Sequence, residues 1–352
     1  WQAKGETCRA AVLAALKAGY RHIDTAAAYG NEPEVGAAIA ESGIPREQIF
    51  VTTKLWNKQR GYESALAACD ESLQRLGTDY LDLFLIHWPA NAKLFPDSCE
   101  EINQATWRAM EKILADGKAR AIGVSNFHPH HLEEIAQTAT VTPMVNQIEF
   151  NPGFTQPNVV TYCQNRNILV QAWSPLGSGR LLNNANLAVI AGHYGKSVAQ
   201  LCIRFALQRG ILPIPKSVTP ARITANLNVF DFEITKADMT AIDDLPVFGN
   251  SGHHPDDRRA GQDQGGVVQQ KAHGRVRTGG GVADVAAQGG HVTHLARAHT
   301  GASLMHGREV TSHPFRVLHG AVGHYPTDEH AQVGGAALSL ALVGVRGGIG
   351  SE

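Results

Sequence analysis

The stretch HIDTAAAYGNE closes a short apolar run on a carboxylate, Asp24, and sets a phenol, Tyr29, five residues later. Two later apolar runs also end on titratable groups: IFVTTKLW carries Lys54 and LDLFLIHWP carries His87. Brought together, a carboxylate, a phenol, an ammonium and an imidazole form a proton-delivery set. A free tyrosine, with a pKa of about 10, is a reluctant donor at neutral pH, and a neighbouring cation favours its phenolate. A buried lysine keeps its proton only beside an opposite charge, which Asp24 offers. Taken singly, each has an ordinary structural reading: Lys54 as a snorkelling cation, His87 as a hydrogen-bonded core imidazole, Tyr29 as a turn residue. Their arrival on neighbouring strand ends favours chemistry instead.

The elements that must position them alternate along the chain. The first helix reads ETCRAAVLAALKAGY, with Val12, Leu13, Leu16 and Tyr20 on one face and Gly19 near its end. Strand HIDTA follows, then helix EPEVGAAIAESG, strand IFVTTKLW, helix ESALAACDESLQRLG and strand LDLFLIHW. The alternation continues through strands RAIGVSN, PMVNQIEF, ILVQAWSP and ILPIPKS, each preceded by a helix. Near-continuous apolar strands separated by helices predict a parallel sheet covered on its outer face. The architecture expected is a (β/α)8 TIM barrel over residues 1–259, lacking its N-terminal hairpin and first barrel strand, which would precede Trp1. A doubly wound sheet would normally carry GxGxxG after its first strand, and residues 1–259 contain none.

Composition narrows the partners. A formal net charge of −1 gives no basic footprint, so a small molecule is expected rather than nucleic acid or a membrane. The five cysteines, Cys8, Cys69, Cys99, Cys163 and Cys202, show neither CxxC nor metal-ligand spacing, as expected of reduced thiols in a cytoplasmic protein; no metal is expected.

The segments GYRHIDTAAAYGNE, VTTKLWN, DLFLIHWP, AIGVSNF, VNQIEFNP, WSPLG and IPKSVTPARI closely resemble the aldo-keto reductases, particularly bacterial members similar to 2,5-diketo-D-gluconate reductase. The resemblance runs from Trp1 to about Arg259. It implies a monomeric oxidoreductase that uses NADPH to reduce an aldehyde or ketone, a keto-sugar among the candidates, with a catalytic tetrad of Asp24, Tyr29, Lys54 and His87. Hydride addition leaves negative charge on the carbonyl oxygen, so Tyr29 is expected as general acid and His87 as a donor that orients the carbonyl. Lys54 is expected to lower the phenol pKa, a change requiring roughly 3 to 4 kcal/mol of differential stabilisation.

The resemblance also assigns the cofactor. Residues matching Ser125, Asn126 and Gln147 hold the carboxamide, Trp173 stacks on the nicotinamide, and Ser174, Pro175, Leu176, Gly177 and Ser178 form the loop over the pyrophosphate. In PKSVTPAR, Lys216, Ser217, Val218, Thr219 and Arg222 surround a phosphate near a helix start. Two cations and a hydroxyl suit the 2′-phosphate of NADPH better than the bare ribose of NADH. Asn226 is retained against the adenine, whereas Ala225 stands where members commonly carry Glu. Trp1, Trp56, His87 and Trp88 match substrate-side positions. The alternatives kept open are a non-enzymatic NADP(H)-binding regulatory subunit of the same fold and an incomplete, inactive or weakly active chain whose activity returns with a strand before Trp1.

From Ala260 the chain changes character: 19 of the 36 glycines fall in residues 260–352, with no Trp, Asn or Cys. Such a density opposes helix and strand interiors alike, so a disordered, non-homologous tail is expected. Its nine histidines, His291 and His294 among them, lack the companion acids and regular spacing of a metal site. Removal of residues 260–352 is therefore expected to leave turnover unchanged, checked by the rate of NADPH absorbance loss with and without the tail.

Overall fold

The computed structural model describes residues 1–257, and the expectations for residues 260–352 lie outside them. Seven strands among the described residues form one parallel sheet in chain order. They are β1 (His22–Asp24), β2 (Phe50–Leu55), β3 (Leu83–Ile86), β4 (Ile122–Ser125), β5 (Val145–Glu149), β6 (Leu169–Trp173) and β7 (Leu212–Pro213). Every residue of β2, β3, β4 and β5 is buried. That explains why β3 reads as a continuous apolar run and why none of these strands alternates, although β2 and β5 also bury polar residues such as Lys54 and Gln147.

The sheet curls. β1 and β5 are four places apart in the order, a separation of about 19 Å in a flat sheet with strands about 4.8 Å apart. Yet Gln147 Nε2 on β5 donates to Asp24 Oδ2 on β1 at 2.8 Å. The strands are thus seven walls of the expected barrel, with β1 and β7 at the ends of the order.

Ten helices among the described residues flank the strands: α1 (Gly5–Ala18), α2 (Glu32–Glu41), α3 (Tyr62–Leu76), α4 (Cys99–Ala115), α5 (Pro129–Ala136), α6 (Pro157–Gln164), α7 (Ala185–His193), α8 (Val198–Gln208), α9 (Pro220–Ala225) and α10 (Lys236–Asp243). Helices α1 to α6 pack each against the next, and α1 also touches α9, so the outer layer closes between β1 and β7 although the sheet does not. On α1 the inward face is centred on Cys8, Val12 and Leu16, at helical i, i+4 spacing. Leu13 and Tyr20, predicted on that face, are only half-buried. Gly19 ends the helix in the left-handed region, φ 110°. None of the five cysteines is paired, and no helix among the described residues is long and apolar enough to cross a membrane.

Helix α2 leaves directly from the loop that carries Tyr29, and its approach to α3 fixes that loop. A Cβ at Gly36 would lie 2.1 Å from the backbone oxygen of Leu76, the last residue of α3. Gly36→Ala is expected to cost about 1 to 3 kcal/mol of overpacking, more than the ~1 kcal/mol that alanine gains over glycine in a helix. A lowered urea midpoint at unchanged slope is the checking measurement.

Candidate active site

At the C-terminal ends of the strands the chain has grouped its titratable residues. Asp24 is the register partner of Thr52, and Lys54, two residues on, shares a face with Thr52. Lys54 Nζ accordingly donates to Asp24 Oδ1 at 2.5 Å and to the Thr25 carbonyl at 2.9 Å. A single 3₁₀ turn, Ala27–Tyr29, ended by Gly30 at φ 60°, brings the phenol back over the same strand end. Lys54 hydrogen-bonds Tyr29, its Nζ 5.1 Å from the centre of the ring. His87, just beyond β3, meets Tyr29 edge to face at 5.8 Å between ring centres. The four expected tetrad residues therefore converge.

The electrostatics depart from the expectation in one respect. Burial would strip the proton from Lys54, but Asp24 and then Tyr29 oppose it, and the lysine ends above its ordinary range. Burial also acts on Tyr29, and there it wins: the phenol is pushed up from its ordinary value, with Lys54 pulling down against it. The expected net depression of the phenol is corrected accordingly. Desolvation of a phenolate outweighs one ammonium whose charge is already shared with Asp24. Tyr29 is thus fully protonated at neutral pH.

Behind the tetrad stand residues the sequence reading passed over. Glu32, 1% exposed, accepts from Thr53 Oγ1 at 2.6 Å and pairs with Arg75 at 2.6 Å. Asn31 accepts from Thr25 Oγ1 at 2.7 Å and donates to the Ala3 carbonyl at 3.0 Å. Together they lock the residues next to Asp24 and Lys54. Their only sequence signal is the polar pair that ends HIDTAAAYGNE.

The amide side is joined to the tetrad. Gln147 Nε2 donates to Asp24 Oδ2 at 2.8 Å and to Gln171 Oε1 at 3.0 Å. Asn126, held at φ 64°, donates to the His87 carbonyl and to Ser125 Oγ, both at 3.0 Å, and accepts from Trp173 Nε1 at 2.8 Å. Ser125 Oγ donates to the Gln147 carbonyl at 2.7 Å. Beyond Trp173, Ser174 and Ser178 both adopt positive φ, 48° and 53°, with their hydroxyls 2.8 Å apart. Pro175 and Gly177 are buried and Leu176 packs against the core. A Cβ on Gly177 would meet the Gly249 carbonyl at 2.8 Å, so the loop tolerates no side chain there.

Lys216, Val218, Thr219 and Arg222 are exposed around the start of α9, where Ser217 Oγ accepts the Thr219 amide at 3.1 Å, and Asn226 is buried at the helix end. On the substrate side, Trp56 meets His87 edge to face at 5.4 Å. Trp88 is only 6% exposed, set between Trp173 and His253 with ring centres at 6.5 and 6.2 Å. Trp1 is half exposed.

The sequence profile described as "Aldo/keto reductase family" matches residues 1–246. The chain is 50% identical over 253 residues to glyoxal reductase of Bacillus subtilis (strain 168), covering 72% of this chain and 88% of that protein. It is 48% identical over 260 residues to 9,11-endoperoxide prostaglandin H2 reductase of Trypanosoma cruzi (strain CL Brener), covering 73% and 89%. Among solved structures, a Bombyx mori aldo-keto reductase in complex with NADP superposes with a TM-score of 0.64 at 39% identity, covering 72% of this chain and 87% of that one.

Because Lys54 holds its proton above the ordinary range, the stability it contributes is present below the unfolded lysine value of 10.5 and is lost as pH rises through the higher folded value. Asp24→Asn leaves that ammonium buried without its carboxylate, at an expected cost of about 3 to 5 kcal/mol at pH 7. Adding Lys54→Met is expected to recover most of the loss; urea unfolding of both variants and the parent checks this.

Proposed function

Because this chain belongs to the aldo/keto reductase family, we propose that it reduces a small aldehyde or ketone to the alcohol, with NADPH as reductant and Tyr29 as general acid. The observation that carries the proposal is the buried Lys54 ammonium held between Asp24 and the Tyr29 phenol.

The cofactor residues fit a nicotinamide. The amide donors of Gln147 and Asn126 are spent on Asp24, Gln171, His87 and Ser125. What these side chains still offer is acceptor lone pairs, which suit the NH₂ of a carboxamide. Lys216 and Arg222 suit the 2′-phosphate. The relatives support the same cofactor: one neighbour is in complex with NADP and another, a mutant of Gox0644, with NADPH.

Bound NADPH supplies a hydride to the carbonyl carbon. The substrate oxygen is placed between Tyr29 and His87, whose rings meet edge to face. His87 orients the carbonyl, and Tyr29 gives its proton to the oxygen as negative charge develops there. The phenolate left behind lies against Lys54, which Asp24 keeps charged. Trp56 and Trp88 provide flat apolar walls that admit small carbonyl compounds and exclude water. A further strand between β1 and β7, supplied ahead of Trp1, would complete the wall on the tetrad side.

The test uses a chain carrying such a strand. Tyr29→Phe is expected to lower kcat by about 10² to 10⁴ with glyoxal or another small aldehyde, while NADPH binding, followed by fluorescence, holds. Undiminished turnover in the variant overturns the proposal.

A further inference from the structure

We propose that a divalent transition cation, with zinc as the reference ion, binds between His128, His254 and Asp256 and clamps the C-terminal segment of the described chain onto the start of α5. The three come from places far apart in sequence. His128 immediately precedes α5, in the run HPHH, whereas His254 and Asp256 flank Pro255 in the segment that follows α10. One ligand atom from each lies within 4.8 Å of the others.

His254 Nδ1 accepts the Asp256 amide at 3.3 Å, a long bond that the ion would displace, and its distance to the Asp256 side chain is that of two ligands on one metal. His254 Nδ1 stands 3.6 Å from Asp256 Oδ2, beyond ordinary hydrogen-bond length. Two ligand atoms on a tetrahedral zinc, each about 2.0–2.1 Å from the ion, are about 3.4 Å apart. The rings of His128 and His254 are 4.8 Å apart and nearly perpendicular, at 87°, so neither stacks over the other.

A supporting set holds the carboxylate. His131, 2% exposed, accepts the His128 amide on Nδ1 at 3.1 Å. Its neutral ring therefore carries the proton on Nε2, which faces Asp256 Oδ1 at 3.0 Å. His131 is thereby a donor to the carboxylate and not a ligand, and it leaves Oδ2 turned toward His254. His130 adds a second contact to Oδ1 at 3.1 Å. Outer partners of this kind orient metal ligands. Two imidazoles and one carboxylate suit zinc and similar ions rather than magnesium or calcium, which favour oxygen ligands throughout. A surface depression of about 490 Å³ lies beside the site, lined by His128 and His130 but not by His254 or Asp256.

Filling this site has a consequence for the mouth of the barrel. His253, next to a ligand, packs on Trp88, and the Pro255 carbonyl accepts from Asn91 Nδ2 at 2.7 Å. The ion would fix the segment that borders the substrate side.

The test uses the full chain, freed of metal by a chelator and dialysed against zinc chloride. Because residues 260–352 carry nine further histidines, the reading is a difference between variants. His128→Ala and His254→Ala are each expected to bind one ion fewer than the parent, and His193→Ala the same number. In the parent, zinc is expected to slow hydrogen exchange over residues 249–257 by about tenfold or more, a readout that needs no variant to fold. Equal zinc content in the parent and His254→Ala, or exchange over that segment unchanged by zinc, overturns the proposal.

Discussion

The site depends on keeping one ammonium charged where water does not reach. Lys54 is 1% exposed, and an isolated charge in such a place costs several kcal/mol. The compensation is spread over the fold. Asp24 and the Thr25 carbonyl come from the end of β1, and Tyr29 from the turn after it. The second oxygen of Asp24 is held by Gln147 of β5, and Gln147 in turn by Gln171 of β6. One buried charge therefore sets the register of β1 on β2 and ties the two sides of the curled sheet together. Such a pair is weak evidence of stabilisation, since an apolar pair of the same volume would often serve stability as well. Its retention is better explained by chemistry than by folding.

Much of this was legible in the sequence, and particular residues show why the rest was not. The strands could be read because burial on both faces leaves near-continuous apolar runs, and the tetrad because Asp24, Lys54 and His87 sit at or within one residue of a strand end, with Tyr29 in the loop five residues past Asp24. The Gln147 to Asp24 bond spans 123 positions and exists only because the sheet curls, which no local pattern encodes. Glu32 looked like an ordinary acidic residue in the first turn of a helix, yet it is buried and shared between Thr53 and Arg75. The direction of the Tyr29 shift was misjudged because it is a difference between two terms. The charge partner was visible in sequence, but the depth of burial that outweighs it is a property of the packed barrel. His128, in the run HPHH, carried no ligand spacing in sequence, since the fold alone brings it to His254 and Asp256.

The segment after α10 touches both β5 and the loop after Trp173. Glu149, buried at the end of β5 and pushed up from its ordinary value by burial, accepts the Ser251 amide and hydroxyl at 2.8 and 2.6 Å. The Gly249 carbonyl takes Arg180 from the loop after Trp173 at 2.8 Å, and the Phe248 amide donates to the Gly153 carbonyl at 3.1 Å. Apart from the turn Pro255–Asp257 this segment has no regular structure, so it is held by individual hydrogen bonds each worth about 1 kcal/mol. Segments held in this way open with far less free energy than barrel strands. The segment thus borders the loop after Trp173 and packs His253 on Trp88.

The balance of burial and charge at Tyr29 bears on how it would work as the proposed acid. A phenol raised by burial does not release its proton in the ground state, so Tyr29 remains loaded at neutral pH. The same burial would make the phenolate hard to form when the carbonyl oxygen turns negative. Lys54 acts at that moment: its attraction for a phenolate is felt little by the neutral phenol and strongly by the charge that develops during transfer. An interaction that strengthens between ground state and transition state is the kind that raises kcat. Burial and charge therefore work on opposite sides of the barrier. Removing Lys54 would strand the phenolate, whereas burial alone would leave the acid loaded but unable to give up its proton.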